Sequence, residues 1–233
     1  MKVLLFTDNL GAGGAQRQLV GLATLLKEEG HDVSVSLYNN SMFYANQLSN
    51  ANIKFEIVRH AANHFLRIPV MLRYFKKQSP DWIIAYQETP SIIASFAKLF
   101  LPKIKILVSE RTTTQALTHI DKLRFILYRF TDSIVPNSYS QKKFIVDHFP
   151  SLAKKTETII NFVDFEKFKF ITRTKRIVPE ILIVSSIYPP KNTKNLIYAL
   201  KPLKDSGIKF RVRWFGITDN IITPYIAECN KLI

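Results

Sequence analysis

The sequence predicts an α/β fold built on a parallel sheet, and three observations carry that expectation. Short, nearly continuous apolar runs rich in β-branched residues recur at residues 3–7, 33–37, 53–58, 82–86, 104–108, 133–136 and 158–160, the pattern of strands buried on both faces. Segments of roughly 10–20 residues with helical apolar spacing separate most of them, the length a crossover between parallel strands needs. The 233-residue chain is 47% hydrophobic and 12% aromatic, enough to bury one core and begin a second.

The first run, Val3, Leu4, Leu5 and Phe6, is cut off by Thr7, Asp8 and Asn9; it reads as a buried strand and is too short for the apolar region of a signal peptide. Gly11, Ala12, Gly13 and Gly14 then open a helix over residues 15–29. Leu19, Val20, Leu22, Ala23, Leu25 and Leu26 share one face of that helix, and Gly30 closes it as a C-cap. Further helices are predicted over residues 122–130 and 138–148, the second with Ser138 as N-cap. Residues 167–179 turn rich in Lys, Arg and Thr and lose apolar periodicity. A domain boundary therefore falls there, with residues 1–170 forming a first domain and residues 171–233 a second. The second is read as a strand at 181–185, a helix at 192–203, a turn at Asp205, Ser206 and Gly207, a strand at 209–215 and a helix starting near Asn220. A doubly wound domain needs roughly twice that length to cover both faces of its sheet, so the second domain is expected to be incomplete.

The formal charge of +15 favours anionic partners: nucleotide diphosphates, lipid headgroups or nucleic acid. No nucleic-acid-binding motif accompanies the charge, and nucleic acid is not expected. Residues 61–80 carry Arg67, Arg73, Lys76 and Lys77, no acid, and the interleaved Phe65, Leu66, Ile68, Val70, Met71, Leu72, Tyr74 and Phe75. Residues 89–109 set Lys98, Lys103 and Lys105 among Phe96, Leu99, Phe100 and Leu101. Each segment reads either as an interfacial surface for anionic lipid or as a helix with one core face and one solvated basic face. The longest apolar stretch, residues 92–101, is broken by Lys98, so no transmembrane helix is predicted. A single cysteine, Cys229, excludes a disulfide framework and fits a cytoplasmic location.

The Gly11–Gly14 loop follows the first strand, where free backbone N–H groups and the helix dipole hold phosphate. A dinucleotide fingerprint would need a third glycine at Gln16 and an acid near Tyr38, Asn39 and Asn40, so a dehydrogenase is disfavoured. No Asp-x-Asp occurs, and His31, His60, His64, His119 and His148 lack metal-ligand spacing. No metal and no cofactor are expected. Neither a Gly-x-Ser-x-Gly elbow nor an ATPase phosphate loop is present.

Taken as a set, five motifs resemble the family 4 glycosyltransferases of the GT-B fold. They are Gly13-Gly14-Ala15-Gln16-Arg17; Ser109-Glu110-Arg111-Thr112; Pro136-Asn137-Ser138; the run from Ile160 through Asn161, Asp164 and Glu166 to Phe168; and the run from Val184 through Pro189 and Pro190 to Lys191 and Asn192. Their order and spacing match over essentially the whole chain. The resemblance implies a GT-B-like arrangement: a complete N-terminal Rossmann-like, acceptor-side domain and the first part of a second, donor-side one. It implies a retaining, metal-independent transfer of a sugar from a nucleoside-diphosphate donor to a polysaccharide or lipid-linked glycan, on the cytoplasmic face of the inner membrane. Gly13, Gly14, Lys191 and Asn192 are then the donor-binding candidates. Glu110 stands where many relatives carry a histidine and is the catalytic candidate, orienting the sugar or the acceptor; the alternative is a pairing with Arg111 or a neighbouring lysine at a strand end. Arg17, Arg111, Ser138, Asn161 and Asp164 complete the cleft and acceptor set, Asn161 and Asp164 being read equally as turn formers. Two departures stand out. Ser185-Ser186-Ile187 replaces the family's Gly-Arg-Leu, removing the arginine that partners Lys191, and the chain ends at residue 233, before the donor-site glutamates. The sequence is therefore read as C-terminally truncated, with an alternative function as a catalytically inactive relative that binds membrane or acceptor, or as half of a split enzyme.

Overall fold

The computed structural model describes residues 1–112, 114, 116–172, 177–216 and 223–232, and the chain divides into two compact units, Met1–Asp164 and Phe165–Ile233. In the first unit, six strands alternate with six helices: β1 (Lys2–Phe6), α1 (Gly14–Glu28), β2 (Asp32–Leu37), α2 (Ala45–Asn50), β3 (Lys54–Ile57), α3 (Arg67–Gln78), β4 (Trp82–Tyr86), α4 (Glu88–Ala97), β5 (Lys105–Glu110), α5 (His119–Leu127), β6 (Ser133–Pro136) and α6 (Tyr139–His148). All strand pairs are parallel and the sheet order is β3-β2-β1-β4-β5-β6. This is the doubly wound order, in which the direction of winding reverses between β1 and β4.

The apolar runs are near-continuous because both faces of the sheet are covered, and period-two alternation sends neighbours to opposite cores. Leu4, Phe6, Ile83, Ala85, Ile106 and Val108 join Met71, Phe75 and Phe125 on one face. Val3, Leu5, Val33, Val35, Leu37 and Ile84 meet Leu19, Val20 and Ala23 of α1 on the other. Leu25, assigned to that helical face from its spacing, is instead exposed.

Helix ends follow local chemistry. Gly30 adopts φ +81 after α1, and its N–H bonds Lys27 O while that of His31 bonds Leu26 O, the paired bonds that satisfy the last carbonyls when a left-handed residue ends a helix. Ser138 caps α6 by accepting from Gln141 N at 3.2 Å. The helix expected over 122–130 starts earlier and ends sooner. Thr118 and Asp121 bond each other's backbone N–H and fix the start of α5 at His119, and residues Tyr128–Phe130 form a separate 3₁₀ turn.

The strand expected at 158–160 is not formed. Thr156 makes one isolated parallel bridge to Ile134, and the N–H groups of Glu157 and Ile159 bond Ile134 O and Pro136 O at 3.0 and 3.1 Å. A parallel ladder also needs the facing strand to donate back to Glu157, and Pro136 has no N–H to give.

The second unit holds a parallel pair, β7 (Glu180–Val184) and β8 (Arg211–Phe215), with α7 (Thr193–Asp205) and α8 (Pro224–Asn230). Gly207, at φ +73, ends α7 with the bonds seen at Gly30: Gly207 N to Lys204 O and Ile208 N to Leu203 O. Of the helix expected near Asn220, residues 217–222 lie outside the described residues; α8 begins at Pro224 behind the Thr223 cap. Leu182, Val184, Val212 and Phe215 are exposed, and Cys229 is buried. Among the described residues no helix is long and apolar enough to cross a membrane.

Candidate active site

Ligands of doubly wound sheets bind beyond the carboxyl ends of the strands where the winding reverses, here at the ends of β1 and β4. Thr7, just after β1, donates from Oγ1 to Gln87 Oε1 at 2.9 Å. Gln87, just after β4, has φ 73 and ψ 168, a backbone region almost confined to glycine and found where neighbouring structure enforces it. Asn9 Oδ1 accepts from Gly11 N at 2.7 Å and from Gln16 Nε2 at 3.2 Å, holding the glycine loop closed. A Cβ on Gly13 would sit 2.2 Å from Gln16 Oε1, whereas Gly14 faces open space. Gly13 caps α1 with no side-chain bond, so the N–H groups of Gly14, Ala15 and Gln16 have no intrahelical acceptor and, among the described residues, are open to an anion. Arg17 is exposed in the same turn. Beneath the loop, burial raises the Asp8 carboxyl above the ordinary aspartate range, partly offset by bonds from Asn9 and Thr7.

Glu110 ends β5 inside a cluster of ionisable groups. Its side chain is 2% exposed and faces Arg124 Nη1 at 3.5 Å, with Arg124 itself 1% exposed. The same guanidinium meets Glu88 at 3.3 Å and Asp121 at 2.9 Å, and donates to Thr114 Oγ1 at 3.3 Å. The buried Tyr128 hydroxyl donates to Glu110 Oε1. Burial pushes the Glu110 carboxyl upward, Arg124 and Tyr128 hold it down, and Glu88 and Asp121 push it up again. The expected alternative partners, Arg111 or a lysine, are corrected to Arg124. Adjacent residues at a strand end point to opposite faces, and Arg111 turns away to stack on Tyr86 at 4.7 Å, donating to Tyr86 OH at 2.9 Å and Asn161 Oδ1 at 3.0 Å.

The structure thus joins Arg111 and Asn161, and places Gly13, Gly14 and Arg17 together at the start of α1. Ser138 serves α6 as its cap, and Asp164 is the last residue of the first unit. In the second unit Lys191 ends the Pro189–Lys191 turn with its ammonium 5.8 Å from the Tyr188 ring, and Asn192 caps α7 in the left-handed region at φ 57. Gly216, just after β8, lies where a Cβ would meet the Ser185 carbonyl oxygen at 2.1 Å, so the backbone after β7 is approached more closely there than any side chain permits. Sequence reading missed Glu88, Arg124, Tyr128 and Gln87. Arg124 lies between the apolar Leu123 and Phe125, a pattern indistinguishable from an exposed helical arginine until the fold buries it.

The arrangement offers an anion-binding helix start on α1 and, at the start of α4, a half-exposed carboxylate, Glu88, whose position is fixed by a buried cation. Against known proteins, the family model Glycosyltransferase Family 4 matches residues 12–167. A relative from Campylobacter jejuni, N-acetylgalactosamine-N,N'-diacetylbacillosaminyl-diphospho-undecaprenol 4-alpha-N-acetylgalactosaminyltransferase, is 27% identical over 247 residues, spanning 98% of this chain and 67% of the relative. Among solved structures, a glycosyltransferase from Rickettsia africae superposes with a TM-score of 0.75 at 17% identity, covering 99% of this chain and 64% of that one. Anabaena HepE, solved in complex with UDP-glucose, gives a TM-score of 0.71 at 15% identity, covering 94% and 70%. The sheet order and these superpositions are those of a Rossmann-like GT-B domain, and a match over two thirds of its length makes this chain a member of glycosyltransferase family 4.

Proposed function

We propose that the chain transfers a sugar from a nucleoside-diphosphate donor to a hydroxyl of a lipid-linked glycan, with retention of configuration and without a metal ion. The observation that carries this is the start of α1, where three N–H groups without an intrahelical acceptor stand at the winding reversal. Backbone donors and a helix dipole stabilise a departing diphosphate where charge develops. The names of the relatives support the substrate classes: the Campylobacter jejuni enzyme acts on a diphospho-undecaprenol-linked acceptor, and HepE was solved with UDP-glucose. Gly13 and Gly14 on the first unit, and Lys191 and Asn192 on the second, are assigned to the donor. Glu110 is assigned as a positioning residue that fixes Arg124, and Glu88 as the carboxylate that faces the acceptor.

The test is calorimetric titration of UDP- and GDP-sugars into the chain, repeated with Lys191→Ala and Gly14→Val and in the presence of EDTA. Saturable binding that either substitution weakens and EDTA leaves unchanged supports the reading. Binding abolished by EDTA removes metal independence, and no binding of any nucleotide sugar removes the donor assignment.

A further inference from the structure

We propose that a hollow at the carboxyl ends of β2 and β3 holds an inner sugar of the acceptor glycan, one nearer the lipid than the sugar that receives the transfer. The inference rests on the transfer reading and adds a second acceptor subsite to it. The hollow measures about 300 Å³ and is lined by Tyr38, Asn39, Asn40, Ile57, Arg59 and Ala62. Its origin is a parting of two strands. β2 and β3 stay paired through Leu37 and Ile57, and Val58 N closes the ladder on Leu37 O at 2.7 Å. Beyond that bond the two paths separate. After β2 the chain swings to the glycine loop: the N–H groups of Tyr38 and Asn39 bond Asp8 O, Leu10 N bonds Ser41 O at 2.8 Å, and Tyr44 N bonds Leu10 O at 3.0 Å. After β3 it curls into the 3₁₀ turn Arg59–Ala62, where Ala61 N bonds Val58 O at 2.9 Å. The space between the two paths is the hollow.

The walls are set before any ligand arrives. Tyr38 is buried; Arg67 stacks on its ring at 4.2 Å and donates from Nε to Ala61 O at 2.7 Å and from Nη2 to Ala62 O at 3.0 Å. The turn is thereby locked to the tyrosine, and little ordering remains to be lost on binding. The lining selects the ligand. Asn39, Asn40, Arg59 and Ala62 are exposed, and among the described residues the side chains of Asn39, Asn40 and Arg59 have no hydrogen-bond partner. Two amides and a guanidinium offer donors and acceptors to neutral hydroxyl and acetamido groups, while Tyr38 and Ile57 supply apolar wall. None of the six lining residues is acidic, so nothing there holds a cation. The backbone N–H groups of Tyr38, Asn39 and Ala61, which could ring a phosphate, are already occupied by carbonyls. A volume of about 300 Å³ is the lower end of the range for ligand pockets, room for one sugar unit and not for a nucleotide. Position gives the register. The winding reverses between β1 and β4, and the hollow lies two strand spacings away, about 10 Å, the span of a linked pair of pyranose rings. A glycan whose outer sugar sits at the reversal therefore places an inner one in the hollow, and an acceptor with a single sugar leaves it empty.

The test uses free sugars and needs no transfer. The isotope-labelled chain is titrated with hexoses, N-acetylhexosamines, their disaccharides and inorganic phosphate, and the backbone amide shifts are followed by NMR. Saturable shifts centred on Asn39, Asn40 and Ala62 are expected with at least one sugar of the panel and not with phosphate. Asn39→Ala with Asn40→Ala removes the two amides and should weaken that sugar about tenfold or more. Ala62→Trp fills the hollow and should weaken it as much, while its backbone carbonyl still holds Arg67. Calorimetric titration of nucleotide sugars into the same variants should be unchanged, since neither alters the start of α1 or Lys191. Absence of shifts at these amides with every sugar, equal shifts with phosphate, or a sugar affinity that neither variant lowers would overturn the proposal and leave the donor assignment standing. Sugar shifts at the hollow in a chain that binds no nucleotide sugar would remove the transfer reading and keep the sugar site. Circular dichroism confirms that each variant is folded.

Discussion

The side-chain amide of Gln18 clamps the backbone of Phe162, 144 positions later: Oε1 accepts from Phe162 N and Nε2 donates to Phe162 O, each at 3.0 Å. The ring of Phe162 covers Gly21 one turn further along α1, where a Cβ would fall 1.9 Å from Cζ. The end of the first unit is thereby fastened to its first helix.

Gln18→Leu removes both bonds and leaves two partly buried backbone groups unpaired, at a cost of about 2 kcal/mol. For a unit of this size that lowers the melting temperature by about 4–8 °C. Gln18→Glu keeps the acceptor and loses the donor, so it should melt between the two. Gly21→Ala would gain about 1 kcal/mol in a bare helix; here the ring must leave its seat, and the gain should vanish. Calorimetry on the three variants checks the series, and unchanged melting for Gln18→Leu would show that the clamp is loose in solution.

Arg111 makes a second fastening of the same segment through Asn161 and Tyr86. Arg111→Ala gives up the stacking, worth about 0.5–2 kcal/mol, and releases Asn161. Hydrogen exchange should report it, with the amides of Ile159 and Phe162 losing protection while those of β4 keep theirs. Equal loss across the sheet would mean that Arg111 supports the core and not the crossing.

How much of this was legible follows from what each feature needs. Strands buried on both faces advertise themselves by composition, so Val3 to Phe6 and Trp82 to Tyr86 could be placed from their letters alone. Gly30 and Ser138 were readable because the chemistry of a helix end is local. The strand expected at 158–160 failed on one missing N–H at Pro136, which belongs to a neighbour and not to the segment itself. Arg124, Glu88 and Gln18 were invisible for a related reason. A buried arginine, a half-exposed glutamate and a bridging glutamine acquire their roles only from partners distant in sequence.

Gln87 carries backbone strain at the winding reversal, with φ 73 on a side chain that bonds Thr7. Gln87→Gly relieves the strain, about 1–3 kcal/mol, and loses one hydrogen bond of about 1 kcal/mol; it should be at least as stable as the parent. Gln87→Ala keeps the strain, loses the bond and should be less stable by about 1 kcal/mol. Denaturant titration decides the order. Glycine ranking below alanine would show that the conformation is relaxed.

Arg124 is the cation on which Glu88, Glu110 and Asp121 converge. Arg124→Met leaves Glu110 buried without its counter-charge and should cost about 3–5 kcal/mol near neutral pH. The pH dependence has a defined sign. Burial already raises Glu110 above its ordinary value of 4.5, against the pull of Arg124 and then Tyr128. A carboxyl whose folded value is raised contributes its full stability below the unfolded value, and loses it as the pH rises through the folded one. Removing Arg124 raises the folded value further, so the deficit of the variant should widen as the pH rises above the ordinary glutamate range. Tyr128→Phe takes away the other group that lowers it and should shift the profile the same way by about 1–3 kcal/mol. Adding Glu110→Gln to Arg124→Met removes the orphaned charge and should recover most of the loss, with a flattened profile, giving a coupling energy that isolates the pair. If the double variant is no more stable than Arg124→Met, the arginine acts through Glu88 and Asp121, and Glu110 is held by Tyr128 alone.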